Sequence, residues 1–206
     1  MKKKLLILAN KKFDNNLSKE KIDEINSFDI IVRINGMNNI YQTGGRCDYW
    51  WFNIYDKNVF LKNIGDTDYS SVTKIFNDIN TQNIAPKNWI RMQFNKLNKD
   101  VEFIKTECLN YQTIENINNE TKLDWWSQNR KDKNIPTTFI IALSYFIKYY
   151  SDDYEIYISA CDIDNLDELY KTNPIWSTYW HKNAGAYIER YIKDNINAGK
   201  IKYLEL

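Results

Sequence analysis

His181 is the single histidine among the 206 residues, and its position makes it a candidate general base. It lies between an aromatic stretch, which includes Tyr179 and Trp180, and the last predicted helix. An imidazole with an ordinary pKa of about 6.5 can accept a proton at neutral pH. A lone histidine also has structural roles in many proteins, so residue type and position leave both interpretations of His181 open.

Two asparagines, Asn10 and Asn35, each follow a predicted strand. A side-chain amide offers a donor and an acceptor together, which suits a sugar hydroxyl, a ribose or the edge of a cytosine. Asparagine is also a common turn residue because it tolerates left-handed backbone geometry. Spacing alone therefore indicates either a pair of ligand contacts or two ordinary turns.

A third candidate is the segment Pro136-Thr137-Thr138, which opens a predicted helix. Proline is favoured in the first turn of a helix, and the free N–H groups there, together with hydroxyls, can bind an anion. A plain N-cap explains the same residues equally well.

The fourth candidate is Asp162-Ile163-Asp164, which follows the strand predicted at residues 155–159. Two carboxylates spaced in this way can hold a divalent metal ion against a diphosphate. The pattern also occurs often by chance, so a metal site at Asp162 and Asp164 is an alternative and not the main expectation.

Several classes of function are disfavoured by what the sequence lacks. It has no GxGxxG, no P-loop and no GxSxG elbow, and its three cysteines form no CxxC pair. Its 28 basic and 27 acidic residues leave a net charge of +1, so no overall attraction to nucleic acid is expected. The apolar run near the N-terminus is too short for a signal peptide, and no run approaches a membrane span, so we expect a cytoplasmic protein.

Apolar runs and helical periodicity predict alternating elements that would position these residues. Strands are predicted at residues 5–9, 29–34, 47–53, 88–94, 155–159 and 200–204, and helices at 17–26, 72–78, 136–150 and 184–196. Residues 95–134, rich in Asn, Lys and Asp, are expected to hold a mobile loop or lid.

This alternation predicts one α/β domain over residues 1–206, with a parallel sheet covered by helices on both faces. Ligands of such sheets bind at the carboxyl ends of the strands. The residues expected there are Asn10, Asn35, Asn53 and Asp162.

The order of these segments resembles bacterial sialyltransferases of glycosyltransferase family 42 and the sialyl motifs of the animal-type family 29. The segments that carry the resemblance are Leu5-Leu-Ile-Leu-Ala-Asn10, Phe28-Asp-Ile-Ile-Val-Arg-Ile-Asn35, Tyr41-Gln-Thr-Gly-Gly-Arg-Cys-Asp48, Trp51-Phe52-Asn53, Ile135-Pro-Thr-Thr-Phe139, Tyr154-Glu-Ile-Tyr-Ile-Ser-Ala-Cys-Asp162 and Trp180-His-Lys-Asn-Ala-Gly-Ala-Tyr-Ile-Glu189. They are spread over nearly the whole chain.

The resemblance implies a metal-independent, inverting transfer of sialic acid from CMP-sialic acid to a glycan hydroxyl, on a variant nucleotide-binding (GT-A-like) fold without a cofactor. It implies His181 as the base, and Tyr170, Tyr179 and Arg130 as helpers of phosphate departure. The donor contacts that it implies are Asn10, Asn35, Asn53, Thr137, Thr138 and Asp162. The implied partners are the nucleotide sugar and a glycan, with peripheral contact to the inner membrane face and homo-oligomerisation left open.

The chain departs from the family pattern at several places, one of which is Thr138 in the position of the small residue of a serine-glycine turn. Lys11-Lys12-Phe13 replaces a glycine-rich turn, and Lys133, with Arg130 further back, takes the place of an arginine. Another CMP-activated ulosonic acid, such as CMP-Kdo, therefore remains an alternative donor. The rival functions are a metal-dependent UDP- or GDP-sugar transferase that uses Asp162 and Asp164, a non-catalytic nucleotide- or sugar-binding domain, and a phage or capsule-locus structural protein.

Overall fold

The computed structural model describes residues 2–11, 13–34, 39–52, 70–77, 102–105, 138–161, 163 and 184–206. Within these ranges the chain forms strands β1 (Lys3–Leu8), β2 (Ile30–Ile34), β3 (Tyr49–Phe52), β4 (Lys74–Asn77), β5 (Glu102–Lys105), β6 (Tyr154–Ser159) and β7 (Lys202–Tyr203). The helices are α1 (Lys19–Asn26), α2 (Thr138–Tyr150) and α3 (Ala184–Asn197).

The strands form one seven-stranded sheet in the order β5-β4-β3-β2-β1-β6-β7, and all its described pairings are parallel. The chain builds outward from β1 to β5 on one side and then returns to place β6 on the other side of β1. The side of the sheet to which successive strands are added therefore changes between β1 and β6. The predicted α/β class with a parallel sheet is confirmed.

The interior strand β1 shows that both faces of the sheet are covered. Leu5 and Ile7 point into one apolar cluster, whereas Leu6 and Leu8 point into another, and all four are essentially unexposed. A strand whose successive side chains are all buried must have a packing layer on each side. The first cluster contains residues of α2 and α3, and the second contains residues of α1.

Helix α2 runs antiparallel to the strands, and its aromatic contacts show this direction. Its last residue, Tyr150, lies 5.7 Å from the ring of Tyr154 at the start of β6 and 6.4 Å from that of Tyr49 at the start of β3. Tyr145, more than one turn earlier, contacts Trp51 further along β3 at 5.2 Å. The first turn of α2 therefore lies towards the carboxyl edge of the sheet.

Helix α3 ends beside the start of β7, since the Lys200 and Ile201 N–H groups donate to the Asn195 carbonyl. Its inner face packs into the cluster on the sheet, so its first turn lies towards the carboxyl edge. It is joined to α2 by a hydrogen bond of 2.7 Å between the Ser144 and Tyr191 hydroxyls. No helix in the described part of the chain is long and apolar enough to cross a lipid bilayer.

The predicted ends of β1, β2, β3, β6, β7, α1 and α3 agree with the structure to within two residues. Ser18 is the N-cap of α1 as expected, because its hydroxyl accepts a hydrogen bond from the Lys21 backbone N–H. The described part of α2 begins at Thr138, so the expected start at Pro136 lies outside the described residues.

The helix predicted at residues 72–78 is wrong, since Lys74–Asn77 form β4 between β3 and β5. Ile75 and Phe76 are both fully buried because the sheet is covered on both faces. An apolar run this short does not distinguish a period of 2 from one of 3.6, so the neighbouring strands decide its conformation.

The segment 95–134, expected to be a loop or lid, contains strand β5, which pairs with β4. Its remaining residues, like the strand predicted at 88–94, lie outside the described residues.

Candidate functional site

Asn10 lies two residues beyond the end of β1, at the carboxyl edge of the sheet, as the sequence predicts. Its Nδ2 donates a 2.9 Å hydrogen bond to the carbonyl oxygen of Ile34, the last residue of β2. Its Oδ1 is buried and has no hydrogen-bond partner among the described residues. The side chain thus joins two strand ends and leaves one acceptor unused.

An unused acceptor in this position has a physical cost. Buried side-chain oxygens are nearly always hydrogen-bonded, and leaving one unpaired costs roughly 1–3 kcal/mol. The opposite assignment of the Asn10 amide, with oxygen and nitrogen exchanged, would set two acceptors against each other at the Ile34 carbonyl. The atom without a partner is therefore the oxygen Oδ1 and not the nitrogen. The site is therefore complementary to a ligand group that donates a hydrogen bond.

The backbone on either side of Asn10 is held by a buried asparagine, Asn39, which sequence analysis did not single out. Asn39 is 1% exposed, and its Nδ2 donates to the carbonyl oxygens of Ala9 at 2.9 Å and Lys11 at 2.8 Å. Three residues later, the Gln42 amide pairs with both the N–H and the carbonyl of Phe13. Two side-chain amides thus fasten the loop between β1 and α1 to the turn that follows β2.

Arg33 in β2 supports this turn from inside the protein. Its guanidinium, 1% exposed, donates to the Arg46 carbonyl at 2.7 Å, to Asn39 Oδ1 at 3.3 Å, and to the hydroxyl and carbonyl of Thr43 at 2.7 and 3.2 Å. Burial lowers the pKa of Arg33 to about 10, and the nearby Cys47 and Asp48 partly offset this effect. Arg33 therefore remains a buried cation at neutral pH, hydrogen-bonded to neutral acceptors.

The turn after β6 forms the other wall of this region. The Ala9 N–H donates to the Ser159 carbonyl and the Lys11 N–H to the Ala160 carbonyl, both at 3.0 Å, so the segments after β1 and β6 stay paired beyond the ends of these strands. Ala160 has a backbone φ of 53°, a left-handed conformation that costs a non-glycine residue about 1–2 kcal/mol. The Tyr203 hydroxyl holds this turn by donating to the Cys161 carbonyl at 3.0 Å.

Beyond these paired ends, β1 leads to α1 on one face of the sheet, and β6 is followed along the chain by α3 on the other. Adjacent parallel strands that continue to opposite faces leave a crevice between them, which is the usual ligand site of an open α/β sheet. Asn10 follows β1 at this point of the sheet, and Ala160 follows β6.

Thr138 is the second predicted site residue that the structure describes. It is partly buried and begins the described part of α2, whose first turn lies at the carboxyl edge of the sheet. Free N–H groups of a helix start favour negative charge, and the anion role expected for this segment stays a prediction.

A second buried polar atom without a partner lies on the α2 face of the sheet. The indole Nε1 of Trp51 donates to no described residue, while its ring stacks on Phe76 at 5.3 Å. Trp51 pairs with Ile34 in the strand register, so both unpartnered atoms belong to side chains that flank the end of β2.

The other predicted site residues lie outside the described residues, so their positions remain predictions. They are His181, Tyr170, Tyr179, Arg130, Asn35, Asn53, Thr137 and Asp162, together with Lys133 and Asp164. Within the described ranges there is no group of three or more His, Cys, Asp or Glu side chains that could hold a metal ion.

Sequence reasoning missed Asn39 and Gln42 because asparagine and other polar residues are common in this chain, and nothing local distinguishes these two. Arg33 offered a usable signal, since it interrupts an otherwise apolar β-branched strand. A charge within such a strand is rarely buried without a specific set of partners.

Comparisons with models of known protein families and with curated proteins found no match.

Proposed function

We propose that this protein is a transferase that moves sialic acid, or a related ulosonic acid, from a CMP-sugar donor to a glycan hydroxyl with inversion. The observation that carries the proposal is the buried Oδ1 of Asn10 at the carboxyl edge of β1, which has no hydrogen-bond partner in the described part of the chain. It lies beside the point where the order of a parallel sheet reverses. Nucleotides bind at such points in open α/β sheets, and the segments resembling the sialyl motifs follow the family's order along the chain.

The chemistry of Asn10 restricts which part of the donor it contacts. Its unused atom is an acceptor, so its partner must present an O–H or N–H group. A ribose hydroxyl, the cytosine amine and a sugar hydroxyl meet this requirement, whereas a fully ionised phosphate oxygen does not. In the proposed complex Asn10 therefore binds the nucleoside or sugar part of the donor, and the phosphate is held elsewhere.

The first turn of α2 is the place proposed for the negative part of the donor. Thr137 and Thr138 would offer hydroxyls and backbone N–H groups to the carboxylate or the nucleotide. Arg130 or Lys133, which precede this turn in the sequence, would add positive charge near the leaving phosphate. Asn35, Asn53 and Asp162 complete the proposed donor contacts, because each follows a strand of the sheet.

In the proposed reaction His181 accepts the proton of the acceptor hydroxyl. The hydroxyl oxygen forms a bond to the anomeric carbon, while the bond from that carbon to the phosphate oxygen breaks. CMP leaves with the electron pair, and Tyr170 or Tyr179 stabilises the charge on its phosphate by hydrogen bonding. His181 precedes α3 by three residues, and the first turn of α3 lies at the same edge of the sheet as Asn10.

The proposal includes a variant nucleotide-binding fold of the GT-A-like type, no metal requirement and a cytoplasmic location. Cys47 and Cys161 are buried and belong to no disulfide, which suits a reducing compartment. CMP-Kdo is the alternative donor, because the Lys11-Lys12 turn departs from the family pattern.

The test is CMP release from CMP-sialic acid by the purified protein in EDTA, with and without a glycan acceptor. Four proteins are compared, namely the wild type, His181→Ala, Asn10→Leu and the control Asn195→Leu. Asn195 is a buried amide whose Nδ2 donates to the Tyr191 carbonyl near the end of α3, so it undergoes the same substitution at the opposite edge of the sheet. We expect CMP release by the wild type and by Asn195→Leu, and a rate of release at least about tenfold lower for His181→Ala and Asn10→Leu.

Absence of release by the wild type from both CMP-sialic acid and CMP-Kdo, together with no CMP binding by calorimetry, would exclude the proposal. Release that EDTA abolishes would instead favour a metal-dependent enzyme that uses Asp162 and Asp164. CMP binding without turnover, unchanged by His181→Ala, would indicate a non-catalytic binding domain.

A further inference from the structure

The orientation of the Asn39 side chain is determined by Arg33. A guanidinium carries only donors, so the Asn39 atom that faces it at 3.3 Å must be the oxygen. The Asn39 Nδ2 must then face the loop after β1. There it finds the Ala9 and Lys11 carbonyls at 2.9 and 2.8 Å, one on each side of Asn10.

These two bonds act on the residue that carries the unused acceptor. An amide nitrogen has two hydrogens, and Asn39 uses both of them on carbonyls two residues apart in the same loop. The Ala9 carbonyl belongs to the peptide plane before Asn10, and the Lys11 N–H, which donates to the Ala160 carbonyl, belongs to the plane after it; with the Lys11 carbonyl also held, the backbone dihedral angles of Asn10 are restrained from both sides. The Asn10 side chain can then keep its bond to the Ile34 carbonyl and hold Oδ1 in one position.

We propose that Asn39 is a positioning residue for ligand binding, which acts through the backbone around Asn10 and takes its own orientation from Arg33. It does not touch the ligand. Its contribution is to hold the Asn10 acceptor in place before the ligand arrives, which lowers the entropy lost on binding. The part of this inference that concerns CMP rests on the proposed function, whereas the part that concerns Asn10 does not.

The test uses two matched amide-to-acid substitutions, Asn39→Asp and Gln42→Glu. Asn39→Asp keeps an oxygen for Arg33 and gains a charge-assisted contact with it, but it sets a second oxygen against the Ala9 and Lys11 carbonyls. Gln42→Glu makes the same chemical change three residues away, where the lost donor bond goes to Phe13 instead of the backbone beside Asn10. The two variants share their change in charge and differ in the part of the loop that they release.

The first readout is spectroscopic and needs no ligand. In protein labelled with ¹⁵N-asparagine, the Asn10 side-chain amide signal is identified by its absence from Asn10→Leu. We expect Asn39→Asp to move this signal towards the position of a free asparagine, and to speed hydrogen exchange of the Lys11 N–H by about tenfold or more. Gln42→Glu should leave the Asn10 signal in place. An unmoved signal in Asn39→Asp, or an equal movement in both variants, overturns the positioning role.

The second readout is CMP affinity by calorimetry. We expect the Kd for CMP to rise by about tenfold or more in Asn39→Asp and to change less than about threefold in Gln42→Glu. Equal affinities in the two variants overturn the inference. If the wild type binds no CMP, the proposed function fails, and the spectroscopic readout alone decides the role of Asn39. If Asn39→Asp does not fold, Asn39→Ser, which is too short to reach both carbonyls and adds no charge, is measured in the same way.

Discussion

Replacing Arg33 by lysine tests the buried hydrogen-bond network beneath the site. The substitution keeps a cation at the same buried position and removes the planar fork of donors. The guanidinium makes four hydrogen bonds through three nitrogens, to Asn39, Arg46 and two atoms of Thr43. An ammonium has its three donors on one atom, so it can satisfy about half of these acceptors.

The expected loss follows from the acceptors left without a donor. Arg33 is 1% exposed, so water does not readily replace it. About two buried acceptors lose their partner, at roughly 1–3 kcal/mol each, which predicts a loss of about 2–6 kcal/mol. Lysine recovers none of the desolvation cost, because its ammonium is hydrated more strongly than a guanidinium. Such a loss is a large part of the ~5–15 kcal/mol that stabilises a typical domain.

Arg46→Lys provides the matched control. Arg46 also donates to backbone carbonyls and pairs with Asp48 at 2.8 Å, but 29% of its side chain is exposed. Water can replace its lost bonds, so we expect a cost of about 1–2 kcal/mol. Urea unfolding at pH 7, analysed with a common slope, gives the free energy of unfolding of both variants and the wild type.

The effect of pH gives Arg33→Lys a second signature. Burial should lower the pKa of the new lysine below its unfolded value of about 10.4, so the unfolded state binds more protons over this range. The stability deficit relative to wild type should therefore shrink as pH rises towards that value. A loss below about 1 kcal/mol at pH 7, or one no larger than that of Arg46→Lys, would refute the argument that the buried fork holds this turn.

Three further predictions concern other parts of the fold. Gly44→Ala should lower the free energy of unfolding by about 2–3 kcal/mol and Gly45→Ala by about 1 kcal/mol. Both glycines have a positive φ, but only a Cβ at position 44 would lie 2.8 Å from the side chain of Ile22 in α1. Equal losses in the two variants would contradict this reasoning. Ser144→Ala and Tyr191→Phe should show a coupling of about 1 kcal/mol in a double-mutant cycle, and additive losses would show that their 2.7 Å bond contributes nothing. The hydrogen bond from Lys202 in β7 is the main cause of a lowered pKa of Glu155, so the stabilising effect of Glu155 is present above its ordinary pKa of 4.5 and is lost as pH falls through the lowered value. The acid unfolding curve of Glu155→Gln should therefore be less steep in this pH range than that of the wild type. An unchanged curve would exclude this contribution.

The sequence by itself determined the class of fold and the edge at which Asn10 lies. Leu5–Leu8 is an apolar run with no alternation, which is typical of a strand covered on both faces, and the helical period of α3 is equally local. Such patterns repeat over two to four residues, so they are visible in the local sequence without the tertiary structure. The position of Asn10 follows from them, because a residue just after a parallel strand must lie at its carboxyl end.

The tertiary structure alone decided the strand order, the conformation of Lys74–Asn77 and the network around Asn10. The partners in that network are distant in sequence, since Asn39 reaches carbonyls 28 and 30 residues away and Asn10 reaches one 24 residues away. An amide that lies in a turn has the same local sequence signal whether it faces water or a buried carbonyl. Only the packing of β1 against β2 and the burial of Arg33 distinguish these cases, because together they bury the Asn10 Oδ1, which has no partner among the residues that the structure describes.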